Sequence, residues 1–280
     1  MTVKILTDSV ADIPRQLVKE LDIKVIPLVI RWGEDTYRDG IDLTAEQFYQ
    51  RLKHSKVPPA TSLPSPRIFA EAYDEMAKEA SGIVAIMVSS KLSGTHDVAL
   101  QSIGLMQKKS SIEVIDSRFG AMAEGFVVLQ AARAAQAGAS LPEVAAVARE
   151  TIGKVSLIGT LETLEYLKRG GRIGKAQAFL GSILKINPII TLKNGVVEPA
   201  GRARTRKGAI ERLYEFAMSY SQVVEMAVED AACAEEAEAL VGKLSSILPK
   251  ENILRSTATP TIGTHTGPGL LLLTMRQNGS

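Results

Sequence analysis

Gly82-Ile83-Val84-Ala85-Ile86-Met87-Val88-Ser89-Ser90-Lys91-Leu92-Ser93-Gly94-Thr95-His96 is the stretch from which the rest of the chain is read. Residues 82–88 are a short apolar run rich in β-branched side chains, the pattern of a strand buried on both faces of a parallel sheet. After Gly94 the spacing turns helical, with Val98, Ile103, Leu105 and Met106 as inward positions. A strand that passes through a Ser/Gly-rich turn into a helix brings hydroxyls and backbone N–H groups together. The first N–H groups of a helix have no internal acceptor, so such a turn suits an anionic group. Ser90, Ser93, Thr95 and the backbone near Gly94 are the candidate donors. A second reading stays open here, in which Ser93 is simply the N-cap of the helix.

Working outward, strand-like and helix-like segments alternate. Val3–Leu6 is a strand that ends in Thr7-Asp8-Ser9, with Pro14 at the start of a helix reaching about Leu21. Lys24–Trp32 reads as one strand, and Thr44 with Gln47 as a capping box opening a helix. The proline-rich 58–66 segment, which carries Thr61, Ser62 and Ser65, is excluded from helix and central strand. Ile112–Asp116 is another strand, followed by an alanine-rich helix through Gln136 and one from Ser140 to about Gly153. The alternation predicts a doubly wound, mostly parallel α/β sheet in residues 1–154, and in such sheets ligands collect beyond the carboxyl ends of the strands. The strand at Val155–Gly159 marks the expected change to a second α/β domain, 155–280. That part holds a helical Ala176–Leu184, a hairpin turning at Asn194-Gly195, a strand–helix–strand unit over 223–257 and a terminal apolar strand. Gly263-Thr264-His265-Thr266-Gly267-Pro268-Gly269 reads as a loop before that strand. Its histidine either caps a backbone carbonyl or donates to a carboxylate, and if protonated it also offsets the carboxylate's charge.

Composition bounds the function. The chain has 280 residues, enough for two domains, and a formal charge of +2, too small to argue for nucleic acid or an anionic membrane as main partner. One cysteine, Cys233, excludes an intrachain disulfide and a multi-cysteine metal site. No apolar run approaches the roughly 20 residues of a membrane span, and Met1 leads straight into a strand, so the expectation is a cytoplasmic protein without an integral membrane segment. No Gly-x-Ser-x-Gly, Walker A or post-strand Gly-x-Gly-x-x-Gly occurs, and His54, His96 and His265 have no metal-ligand spacing; no cofactor is implied.

Six segments in order resemble the DegV family of bacterial fatty-acid-binding proteins: Thr7-Asp8-Ser9 with Asp12-Ile13-Pro14, Thr61-Ser62-x-Pro64-Ser65, Ser89-Ser90-x-Leu92-Ser93-Gly94-Thr95, Val114–Ser117, Leu167-x-x-Gly170-Gly171-Arg172-Ile173, and Gly263–Gly269. The resemblance implies a two-domain DegV-like α/β fold with a long-chain fatty acid such as palmitate held between the domains. Its carboxylate would meet Thr61 and Ser93, with the Gly94 amide close by and His265 contributing; Ser62 and Thr264 are neighbouring candidates. Some members act as the substrate-binding subunit of a fatty acid kinase, so an ATP-binding kinase partner is implied, and no catalysis by this chain alone. Leu63 stands where the family usually has Gln, and His96-Asp97-Val98 where Tyr-Gln-Ser is common; both bear on ligand preference and partner matching. The physics agrees with a lipid. A C16 chain has about fourteen CH₂ groups, and full burial at roughly 0.8 kcal/mol each favours binding by on the order of 11 kcal/mol before ordering costs. Phe179, Leu180, Ile183 and Leu184 are candidates for apolar wall or for ordinary helix core. Arg172 and Arg202 belong to basic clusters that are either solvated surface or close to the pocket mouth, where they would stabilise an acyl phosphate or meet a partner. The competing reading is a phosphotransferase or acyl-phosphate hydrolase that uses Ser93 and His265.

Overall fold

The structure, a computed structural model, describes residues 2–179 and 186–278. Strand β1 (Val3–Asp8) is followed by α1 (Arg15–Glu20), β2 (Ile23–Ile26), β3 (Val29–Trp32), β4 (Asp35–Arg38), α2 (Ala45–His54), β5 (Ala60–Ser62) and α3 (Pro66–Met76). Next come β6 (Gly82–Met87), α4 (Thr95–Gln101), β7 (Ser111–Asp116), α5 (Ala121–Gln136) and α6 (Leu141–Ile152). The chain continues with β8 (Val155–Thr160), α7 (Glu165–Arg169), a 3-10 segment at Gly174–Phe179, β9 (Asn187–Lys193), β10 (Val196–Ala203) and α8 (Arg206–Met218). It closes with β11 (Val223–Asp230), α9 (Ala234–Leu244), β12 (Ile253–Thr257), α10 (Pro260–Thr266) and β13 (Leu271–Gln277).

The α/β expectation holds. A four-stranded parallel sheet runs in the order β2-β1-β6-β7, and its inner strand β6 is buried at every residue, as its apolar run predicts. A six-stranded sheet, β10-β9-β8-β13-β11-β12, is mixed rather than parallel; β11 and β12 form its parallel pair. Helix α5 packs on β1 and β6 on one side and on β8, β11 and β13 on the other; residues 121–129 are buried without a break, while Arg133 and Gln136 near its end are exposed. Burial around the whole circumference of that first part marks a helix segment enclosed between two layers. Its small residues let the layers close up: a Cβ at Gly125 would stand 2.6 Å from the Ala11 carbonyl oxygen.

Four local expectations are corrected. Lys24–Trp32 is two strands in two sheets, because Pro27 offers no N–H to a ladder and the Leu28 N–H goes to Ser9 Oγ at 3.0 Å. The chain therefore leaves the parallel sheet, and β3 founds a three-stranded antiparallel sheet, β4-β3-β5. In it β5 is an edge strand between prolines, a position where proline is tolerated, and Thr61 lies opposite Ile30. Leu105 is 53% exposed, whereas Val98, Ile103 and Met106 pack on the core. The segment tightens to a 3-10 helix at Ser102, and the shorter period carries Leu105 outward. The Gly263–Gly269 loop is largely the helix α10, opened by Thr259-Pro260 as N-cap and first position and ended at Gly267, whose φ of +73° suits glycine. The predicted helix Ala176–Leu184 is a 3-10 segment as far as Phe179; Leu180, Ile183 and Leu184 lie outside the described residues.

Other local signals hold. Asn194 and Gly195 have φ of 51° and 82°, the two positive values that a type I′ hairpin turn requires. Thr44 and Gln47 form the capping box, which starts the helix that puts Phe48 and Tyr49 behind α10. Thr44→Ala is expected to lower stability by about 1 kcal/mol in urea unfolding, through loss of that cap. No measurable change would mean the box contributes nothing.

Candidate functional site

Between the exits of the parallel sheet and the face of the six-stranded sheet lies a cavity of about 790 Å³, counting the space open at its mouth. Val10, Leu28, Val88 and Leu92 wall it from one side, and Leu157, Ile190, Leu192, Val197 and Leu272 from the other, with Leu167 and Ile262 between. Against these apolar walls the polar lining is short: Thr61, Ser93, Arg172, Thr261, His265 and Thr266. An apolar cleft with a few convergent polar groups is the usual form of a small-molecule site.

Thr61 on β5 and His265 on α10 meet across the cleft, Oγ1 to Nε2 2.9 Å. Ser93 lies in the turn before α4, with its Oγ 2.8 Å from Thr95 Oγ1 and accepting from the Thr95 N–H at 3.3 Å. The helix cap position falls to Gly94 rather than Ser93, and among the described residues the Gly94 N–H makes no hydrogen bond. Arg172 is half-buried; its Nε donates to the Leu92 carbonyl at 2.9 Å and its Nη1 to the Gly170 carbonyl at 2.6 Å. No carboxylate among the described residues pairs with it. Burial, then the Arg172 charge, pushes His265 down to about 4, so the imidazole is neutral at physiological pH. Positive charge in the lining therefore comes from Arg172 and not from His265.

Some predicted residues stand elsewhere. Ser62 neighbours Thr61 on β5 and so projects from the opposite face, away from the cavity lining. Thr264 is buried with its hydroxyl returned to the Pro260 carbonyl, 2.8 Å, inside its own helix. Arg202 is exposed on β10 and does not line the cavity. Phe179 is half-buried against the core and not in the lining; Ile183 is outside the described residues. Ser90 is committed to Asp116, Oγ to Oδ2 2.6 Å, and Thr95 is fully buried. Thr261 and Thr266 are lining residues that the sequence reading missed. Thr259-Pro260 was the available signal, since an N-cap and first-position pair would have put 260–266 on a helix and Thr261, His265 and Ile262 within one turn of each other.

Beside this cavity a second, more polar cleft holds buried carboxyls. Asp8 accepts from the Val10 and Val88 N–H groups, both at 2.9 Å, and so ties the β1 and β6 exits together. Asp39 accepts from Ser9 Oγ at 2.7 Å; Glu229, next to Asp12 but not in the cleft lining, accepts from the Met122 N–H at 3.0 Å. Burial raises Asp8 to about 7, Asp39 to about 6 and Glu229 to about 7; Asp12, facing Glu229, is raised well above the ordinary range by burial and then by that neighbour. Among the described residues no group of side chains could hold a metal ion, and no helix is long and apolar enough to cross a membrane.

Known proteins share this architecture. The solved structure of a fatty-acid-binding DegV family protein from Thermus thermophilus superposes with a TM-score of 0.92 at 33% identity, over 99% of this chain and 100% of that one. DegV of Bacillus subtilis, solved as a fatty acid binding protein, gives 0.91 at 32% identity, again over 99% and 100%. A DegV domain-containing protein of Streptomyces coelicolor is 37% identical over 273 residues, 96% of each chain. The DegV family model, described as an uncharacterised protein family, matches residues 2–276. With the fold and nearly the whole length in agreement, the chain belongs to the DegV family.

Proposed function

We propose that this protein binds one long-chain fatty acid in the apolar cavity, with the carboxylate at Thr61, Ser93 and the Gly94 N–H, and presents it to an ATP-binding fatty acid kinase partner that forms the acyl phosphate. The halves are 1–154, which supplies Thr61 and Ser93, and 155–280, which covers the chain and supplies Arg172 and His265. The observation that carries this reading is the contrast inside one cavity: long apolar walls, and among the few polar lining groups the Thr61 and Ser93 hydroxyls and a guanidinium that no carboxylate among the described residues neutralises. The relatives from Thermus thermophilus and Bacillus subtilis bind fatty acids, which supports the same ligand class here. Neutral donors plus one partly solvated cation hold a carboxylate without the cost of a fully buried ion pair. They also leave its second oxygen open to phosphorylation. The hydrolase alternative needs a base on Ser93, but His265 bonds to Thr61, and Ser93 to Thr95.

Organic extraction and mass spectrometry of protein purified from a bacterial host test the proposal. Wild type is expected to carry near-stoichiometric fatty acid, and a Thr61→Ala/Ser93→Ala double variant to retain less than about a tenth of it, as the loss of two hydrogen bonds to a charged group implies. An empty wild type that takes up no added fatty acid would refute the reading.

A further inference from the structure

We infer, building on the fatty-acid reading above, that Gly170 is a positioning residue: its missing side chain and its carbonyl seat His265 and Arg172 so that His265 carries its proton on Nε2 and Thr61 turns its own hydroxyl proton toward the bound carboxylate.

The two glycines that follow α7 do different work. Gly171 has φ of +71° and closes the helix in a Schellman motif, with Arg172 N–H to the Leu167 carbonyl at 2.9 Å and Gly171 N–H to the Lys168 carbonyl at 3.1 Å. Gly170 has φ of −74°, a conformation any residue adopts. Its need to be glycine comes from across the cavity instead: a Cβ there would stand 2.2 Å from His265 Nδ1 and 3.0 Å from its Cε1. The imidazole edge thus rests where a side chain would be, and the carbonyl of the same residue takes the Arg172 guanidinium at 2.6 Å.

That seat selects the tautomer. A neutral imidazole has one N–H and one lone pair, and Nδ1 is buried with no hydrogen-bond partner among the described residues. A proton on Nδ1 would be a buried donor without an acceptor, in the field of the Arg172 cation. A lone pair on Nδ1 is favoured by that charge, and unpaired buried acceptors are tolerated better than unpaired N–H groups. The proton therefore sits on Nε2 and is donated to Thr61 Oγ1, 2.9 Å away. Thr61 then has its single hydroxyl proton free, on a side chain that lines the cavity. With the opposite tautomer Thr61 would spend that proton on His265 and offer a carboxylate, which only accepts, another lone pair.

Long-range ¹H–¹⁵N spectra of ligand-free protein labelled at histidine test the seat, with the His265 signals assigned by their loss in His265→Gln. Wild type is expected to show Nε2–H at neutral pH. In Gly170→Ala the displaced ring should show mixed tautomers and titrate closer to the ordinary 6.5, whereas Gly171→Ala lowers stability without changing the tautomer. An Nδ1–H ring in wild type, or an unchanged ring in Gly170→Ala, overturns the inference. With a fluorescent fatty acid as probe, Gly170→Ala should bind about 10- to 100-fold more weakly, yet cost nothing further in a His265→Ala background; additive losses overturn it. If Gly170→Ala does not fold, Thr61 decides: Thr61→Val should lose affinity and Thr61→Ser regain most of it, and equal affinities would overturn the donor role. An Nε2–H ring in a wild type that takes up no fatty acid would sink the ligand reading and keep the seat.

Discussion

Raising the pH from about 5 to about 8 should destabilise this protein by several kcal/mol, the reverse of ordinary acid denaturation. Asp8 and Glu229 are held at about 7 and Asp39 at about 6, in each case chiefly because burial penalises the ionised form. Their ordinary values are 3.8 for Asp and 4.5 for Glu. Between those values and about 7 the native state binds more protons than the unfolded chain, so the unfolding free energy falls as pH rises through that window. Each pH unit crossed with one proton unmatched is worth roughly 1.4 kcal/mol, and the groups repel one another, so their contributions do not simply add. Below about pH 4 the sign turns, because exposed carboxylates such as Asp42, held near 2 by its hydrogen bonds from Arg38, lose their stabilising charge. Stability should therefore peak at mildly acidic pH. Urea unfolding at constant ionic strength from about pH 4 to 9 checks this, and Asp8→Asn should flatten the slope. Stability that climbs steadily to pH 8 would mean the cluster is ionised in the native state.

The largest single-residue effect is expected at Phe126, where truncation to alanine should cost about 3–5 kcal/mol. Phe126 is fully buried on α5, the helix that serves as packing partner to the parallel sheet and the six-stranded sheet at once. A cavity opened there lies in a helix held between two hydrogen-bonded sheets, which relax little toward a void, and this puts the site at the upper end of large-to-small costs. The same helix begins at Ala121 in the cavity lining, so fatty acid uptake should weaken along with stability. Met218, 58% exposed at the end of α8, makes the contrast: its alanine variant should stay within about 0.5 kcal/mol of wild type. Equal urea midpoints for the two variants would show that α5 is not the shared core.

Features built from neighbours in the chain were legible in the sequence. The β6 run, the Thr44–Gln47 box, the Asn194-Gly195 turn and the alternation of strands with helices each rest on hydrogen bonds or side-chain periodicity within a few residues. The Ser/Gly turn at the exit of β6 was legible in the same way, and likeness to a known family supplied the expectation about Thr61 and His265. Other features depended on atoms distant in the sequence. The break at Pro27-Leu28 is completed by Ser9, and Thr61 meets His265 across 204 residues. Ser62 and Thr264 carry hydroxyls as Thr61 and Thr266 do, but strand alternation and the turn of α10 take them out of the lining. The neutrality of His265 and the high proton affinity of the Asp8 cluster follow from exclusion of water, which no local pattern encodes. Short-range bonding wrote the elements into the chain; packing of two sheets around α5 determined which of their polar groups face the cavity and in what charge state.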